Sequence, residues 1–175
     1  MAVVSEEMLI DVVDDLDRAT GLVAPRKEVL PRGLNFRVVH VFLFNRHGEL
    51  LLQELGHSHG RHPGYWGSSV AGYLFSGERY EEAAARRLSQ ELGVGAVDLH
   101  FYSQTAMNDQ SSKKFIALFV ATYEGVLKPD PRLIERVEYL SPDAVWALLR
   151  NGGRLFTPTF RHLFEDYGRQ RRKSG

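Results

Sequence analysis

The chain of 175 residues contains no cysteine. This excludes disulfides, thiolate metal sites and a cysteine nucleophile together, and it removes the usual guide to redox compartment. Net charge is missing as well, because 22 basic side chains balance 22 acidic ones. A chain without a global basic field has no strong electrostatic draw toward DNA or RNA polymers. Long apolar runs are also absent. The longest, 38–44 (interrupted by His40) and 115–121, fall far short of the ~20 residues that a membrane-spanning helix needs. Residues 1–9 carry Glu6 and Glu7 and do not form a basic, apolar export signal, so a cytoplasmic location is the default expectation. Neither a nucleic-acid polymer nor a membrane is expected as a partner.

What is present suits one compact domain with a sizeable core. Residues 8–13 and 22–29 read as strands joined by the Asp-rich turn 14–18, giving an N-terminal hairpin over about 8–30. Residues 37–45 are rich in valine and phenylalanine with nearly continuous apolarity, the pattern of a strand buried on both faces. A turn at 45–48 leads to a second strand over 49–54, then to a polar loop over 56–64 and an extended stretch over 65–73. Ala83, Ala84 and Ala85 favour a helix over 78–92, which Gly93 terminates, and Ala84, Leu88 and Leu92 form its buried stripe. Further strands are read at 99–106, 115–123 and 134–140. Ser141 and Pro142 open a helix over 143–150, and a last helix runs from about 158 to 167. Strands without regular βαβ alternation predict an α/β (α+β) fold with a mixed sheet between helices, spanning 1–168. The basic segment 169–175 reads as a disordered tail.

The chemistry concentrates between Gly72 and Val94. Glycine, five residues, Glu78, seven residues and Arg86 precede Glu91, Gly93 and Val94. This spacing resembles the Nudix box, G-x5-E-x7-R-E-U-x-E-E-x-G-U with U a bulky apolar residue. The resemblance implies a Nudix fold and a helix whose carboxylates hold magnesium or manganese against a diphosphate. It places Glu91, Arg86 and Glu78 among the catalytic residues, with Glu91 as the metal ligand. Gly72, Arg87 and Arg61 fall on the substrate side. Glu78 and Arg86 resemble the family's internal ion pair, whose role is architectural. Two of the three acidic positions after Arg86 depart from the pattern, because Arg87 and Gln90 stand there and only Glu91 remains. Arg87 and Glu91 lie four apart, so pairing on the helix surface is the alternative to metal binding and to a phosphate clamp.

Arg86-Arg87 followed by Glu91-Leu92-Gly93 resembles the box of type I isopentenyl-diphosphate isomerase. Leu43-Phe44-Asn45, Pro63-Gly64-Tyr65-Trp66 and Ser69-Val70 extend that likeness over about 9–149. The isomerase apparatus is nevertheless missing. Its catalytic cysteine falls on Ala71, two metal-binding histidines fall on Tyr73 and Phe36, and its paired carboxylates fall on Ser112 and Lys114. Without acid, base and metal cage, alkene protonation has no agent.

Two readings stay open. One is a magnesium-dependent Nudix-type hydrolase of a small organic diphosphate, such as a nucleoside diphosphate derivative. The other is a catalytically impaired diphosphate-binding or sensor module. A base outside the box would come from Asp109, Glu135 or Glu138. His57, His59 and His62 beside Arg61 form a polar loop with a weak resemblance to a transition-metal site. A homo-oligomer is compatible with the sequence.

Overall fold

The computed structural model describes residues 8–58 and 60–173. Expectations that involve His59 and the chain ends therefore lie outside the described residues. The N-terminal hairpin pairs β1 (Leu9–Val13) with β2 (Ala19–Pro25) in antiparallel fashion. Its turn is tied by Asp14, whose carboxylate accepts from the amides of Leu16 (2.8 Å) and Arg18 (3.0 Å). The strand read over 22–29 lies over 19–25 instead. Pro25 has no amide to extend the ladder, and Arg26–Val29 close into a helical turn, α1, with Val29 fully buried.

The main sheet is mixed. Its strands are β3 (Phe36–Phe44), β4 (Leu50–Leu55), β5 (Trp66–Gly67), β6 (Val70–Tyr73), β7 (His100–Asp109), β8 (Ser112–Thr122) and β9 (Ile134–Leu140). The path runs β5-β4-β3-β8-β7, with β6 on β3 and β9 on β4. β3 and β8 run parallel at its centre, and the other pairs are antiparallel.

Period-two alternation sends the central side chains into two separate cores. Val38, Phe42, Ile116 and Leu118 meet the hairpin and two C-terminal helices, α3 (Pro142–Asn151) and α4 (Pro158–Lys173). Val39, Val41, Leu43, Ala117 and Phe119 meet α2 (Tyr80–Leu92), which contributes Ala83, Ala84, Leu88 and Leu92. A strand covered on both faces must be apolar throughout, and β3 is, apart from Arg37 and His40.

α2 begins two residues later than its composition suggests. Glu78 turns back to accept from the Phe75 amide (2.7 Å), and Glu82 accepts from the Arg79 amide (3.0 Å) as a capping box. Gly93, at φ 66°, closes the helix in the left-handed conformation.

α4 corrects the expectation of disorder from 169 onward, since the helix continues through Lys173. Arg171 lies over the Tyr167 ring (5.7 Å) and Arg172 over Trp146 (5.3 Å), and basic side chains suit a helix C-terminus. Among the described residues, no helix is long and apolar enough to cross a membrane.

Candidate functional site

A fork in the sheet creates the site. β3 and β4 pair only at Phe44 and Leu50, and then diverge. Residues 66–73 fill the gap, with β5 on β4 and β6 on β3. Ser69 stitches the fork: its hydroxyl donates to the Leu51 carbonyl (2.6 Å) and accepts from the Leu43 amide (2.8 Å). Beyond the stitch opens a cleft of about 790 Å³.

Four cationic side chains line this cleft, namely Arg26, Arg61, Arg87 and Lys114, against two carboxylates, Glu91 and Asp109. Both carboxylates are already matched. Arg61 grips Asp109 through two parallel bonds of 2.8 Å, and Lys114 Nζ lies 3.5 Å from Asp109 Oδ2. The Arg61 bonds hold the Asp109 carboxyl below its ordinary range, against the opposing effect of burial. Burial pushes the Lys114 ammonium down, with Asp109 resisting, and Lys114 also donates to Thr159 Oγ1 (2.8 Å).

The second pair is deeper. Glu91 is 3% exposed at the end of α2, and Arg87 Nε lies 2.9 Å from its Oε2. The Nε hydrogen points instead to the Ala71 carbonyl (3.1 Å), so Oε2 receives no hydrogen bond. Gln53 Nε2 donates to Glu91 Oε1 (3.2 Å) and to the Ser69 carbonyl (2.8 Å). Burial pushes the Glu91 carboxyl up, and the Arg87 charge pulls it back.

Gly72 explains why Arg87 fits. A Cβ at this position would lie 2.5 Å from Arg87 Nε and 2.9 Å from its Cδ. The glycine makes room for a guanidinium stem and itself lines the cleft.

The other sequence candidates separate cleanly. Glu78 and Arg86, expected among the catalytic residues, do not line the cleft. Arg86 grips Glu78 through Nε (2.7 Å) and Nη2 (2.9 Å), caps the Phe75 ring at 3.8 Å and donates to the Tyr73 carbonyl (3.1 Å). These contacts brace the loop after β6 against α2. Asp109 reaches the cleft, whereas Glu135 faces exposed His57 (3.7 Å) and Glu138 pairs with Arg154 (2.9 Å). His62 reaches the cleft but His57 does not, and no group of three metal-binding side chains exists among the described residues.

Sequence reasoning missed His40, Gln53 and Ser68. His40 is buried, its Nδ1 lies 2.8 Å from Ser68 Oγ, and burial together with the Lys114 charge lowers its pKa to about 3. It is therefore neutral at physiological pH. The only signal available was a lone polar residue within an apolar strand.

Residues 34–160 match the NUDIX domain family model, and the chain belongs to the Nudix family. It is 32% identical over 139 residues to an uncharacterised Nudix hydrolase of Pseudomonas aeruginosa, covering 79% of this chain and 82% of that protein. Human isopentenyl-diphosphate delta-isomerase 2 is 30% identical over 188 aligned positions, covering 93% and 82% respectively. A solved Deinococcus radiodurans structure superposes with a TM-score of 0.79 over 90% of this chain and 98% of that one, at 23% identity, which shows the shared fold. Relatives thus include both Nudix hydrolases and isomerases. Phe36 and Tyr73, where the isomerase pattern has metal-binding histidines, lie side by side as a stacked aromatic pair (5.0 Å).

Nudix proteins generally use a divalent cation such as magnesium. The donor set here does not fit one. Among the described residues Glu91 belongs to no group of three metal-ligating side chains, its Oε2 faces the Arg87 guanidinium, and the other cleft carboxylate is held by Arg61 and Lys114. The expectation of magnesium or manganese on Glu91 thus meets an occupied carboxylate, because a hard cation needs several converging oxygens.

Proposed function

We propose that the cleft binds a small organic diphosphate, of the size of a nucleoside diphosphate derivative, and holds it without cleaving it by the magnesium route. The charge imbalance carries this reading. In a chain of zero net charge, four cations face the cleft against two carboxylates that already have partners. Guanidinium and ammonium groups around a cleft match phosphate oxygens, and a volume near 790 Å³ suits a ligand of this size. Phe36, Tyr73 and Phe75 supply apolar wall for its organic part.

A hydrolase reading draws on family membership and on Glu91 Oε2, which is buried without a hydrogen bond. It requires Arg87 to leave that oxygen. Titration calorimetry with ADP and ADP-ribose tests the binding reading. We expect saturable binding that Lys114→Met weakens about tenfold, as loss of one charge-assisted contact should. Turnover of either compound with magnesium or manganese, abolished by Glu91→Gln, would establish the hydrolase instead.

A further inference from the structure

We infer that Arg87 is the site's resident cation: its guanidinium sits where a divalent ion would have to sit, and the cleft therefore takes its diphosphate without metal. This rests on the reading of the cleft as a diphosphate site and adds how the ligand's charge is met.

Two oxygens from different elements converge on one nitrogen. Glu91 Oε2, from α2, lies 2.9 Å from Arg87 Nε, and the Ala71 carbonyl oxygen, from β6, lies 3.1 Å from it. A buried carboxylate and a main-chain carbonyl facing the same point form a seat for positive charge. The seat is built for this side chain, since only a glycine at position 72 leaves space for the arginine stem. The arginine is itself largely enclosed, with its side chain 13% exposed. Its Nε satisfies the Ala71 carbonyl, and Arg87 lines the cleft, where its Nη amines offer further donors to a ligand.

The remaining groups point the same way. A divalent ion at this seat would lie against a fixed guanidinium, and like charges repel strongly where water is scarce. Among the described residues no group of three metal-ligating side chains converges here to offset that repulsion. A guanidinium has no such conflict. Its charge is permanent, and its planar fork presents two donors to phosphate oxygens at once. Glu91 then serves as a positioning residue, holding Arg87 at the base of the cleft through charge, while Gln53 holds Glu91.

The test uses the full chain with ADP as the probe, titrated in buffer containing EDTA and again with excess magnesium or manganese. We expect the dissociation constant in EDTA to stay within about twofold of the best value reached with metal. Arg87→Gln should weaken binding about ten- to a hundredfold in EDTA. Manganese electron paramagnetic resonance on the ligand-free protein should show no bound ion in the native chain.

Binding that appears only with metal overturns the inference while leaving the diphosphate site standing, as does native-like affinity in Arg87→Gln. Absence of ADP binding under both conditions removes the site and the inference together. The comparison of EDTA with metal uses the unaltered chain, so it decides the matter even if Arg87→Gln does not fold.

Discussion

Replacing Arg87 by glutamine should destabilise the chain in a way that depends on pH, and the sign follows from Glu91. The two side chains are 13% and 4% exposed, so the pair is enclosed. Removing one partner of an enclosed ion pair typically costs about 3–5 kcal/mol, because the remaining charge is left in a poor solvent. Gln53 still donates to Glu91 Oε1, which places the expected cost near the lower end, about 3 kcal/mol at pH 8.

Burial already lifts the Glu91 carboxyl, and Arg87 opposes that lift. Losing Arg87 lifts it further. A carboxyl whose folded-state pKa is raised leaves stability intact below its ordinary value, and stability is lost as pH rises through the raised one. At pH 5 the lone Glu91 is closer to taking up a proton than at pH 8, so the defect should be smaller there. Urea unfolding followed by tryptophan fluorescence reads both values, because Trp66 is buried and loses its surroundings on unfolding. At pH 8 the melting temperature should fall by roughly 6–12 °C. A loss below about 1 kcal/mol at both pH values would show that Glu91 does not depend on the arginine charge, and the account of the seat would fail.

Other variants test the surrounding parts. Gly72→Ala should force Arg87 out of place, costing about 1–2 kcal/mol and weakening ADP binding, whereas Gly77→Ala, at φ 82° with open space around it, should cost about 1 kcal/mol and leave affinity unchanged. Calorimetry on both proteins distinguishes them, and equal affinities would contradict the close approach. Arg86→Met should lower stability by about 1–3 kcal/mol with little change in ADP affinity at temperatures where the chain stays folded, because its contacts brace the loop outside the cleft. His40 should remain unprotonated in nuclear magnetic resonance titrations down to about pH 5, given its pKa of about 3. Its linkage runs opposite to that of Glu91. The lowered pKa contributes stability above the ordinary value of 6.5, lost as pH falls below it by about 1.4 kcal/mol per pH unit. His40→Gln should flatten that acid limb, and an unchanged limb would place the sensitivity elsewhere.

The elements with strong local signals were the legible ones. β9 spans Ile134–Leu140, the range its pattern indicates, and β3 differs from expectation by one residue at each end. Local signals failed where a distant partner decides the outcome. α1 forms because Val29 finds the core and Pro25 ends the ladder, and the last turns of α4 persist because Arg171 and Arg172 settle on rings from Tyr167 and Trp146. Within the site, the box spacing located Gly72, Arg87 and Glu91, and the four-residue separation of Arg87 and Glu91 suggested the ion pair. Spacing could not reveal that the pair is buried, since that depends on β6 passing close to α2 at Gly72. Nor could it reveal that His40 meets Ser68 and that Gln53 bridges Ser69 and Glu91, contacts made where β3 and β4 diverge. Asp109, one of three open candidates for a base, is instead fixed by Arg61 and Lys114, residues far from it in sequence or across a strand turn.

The most direct trial is a crystal of this chain grown with ADP and manganese, with data collected at the manganese absorption edge. Phosphate density is expected within hydrogen-bond reach of Arg87, with no anomalous peak beside Glu91. A manganese peak on Glu91 Oε2, with the arginine swung away, would refute metal-free binding.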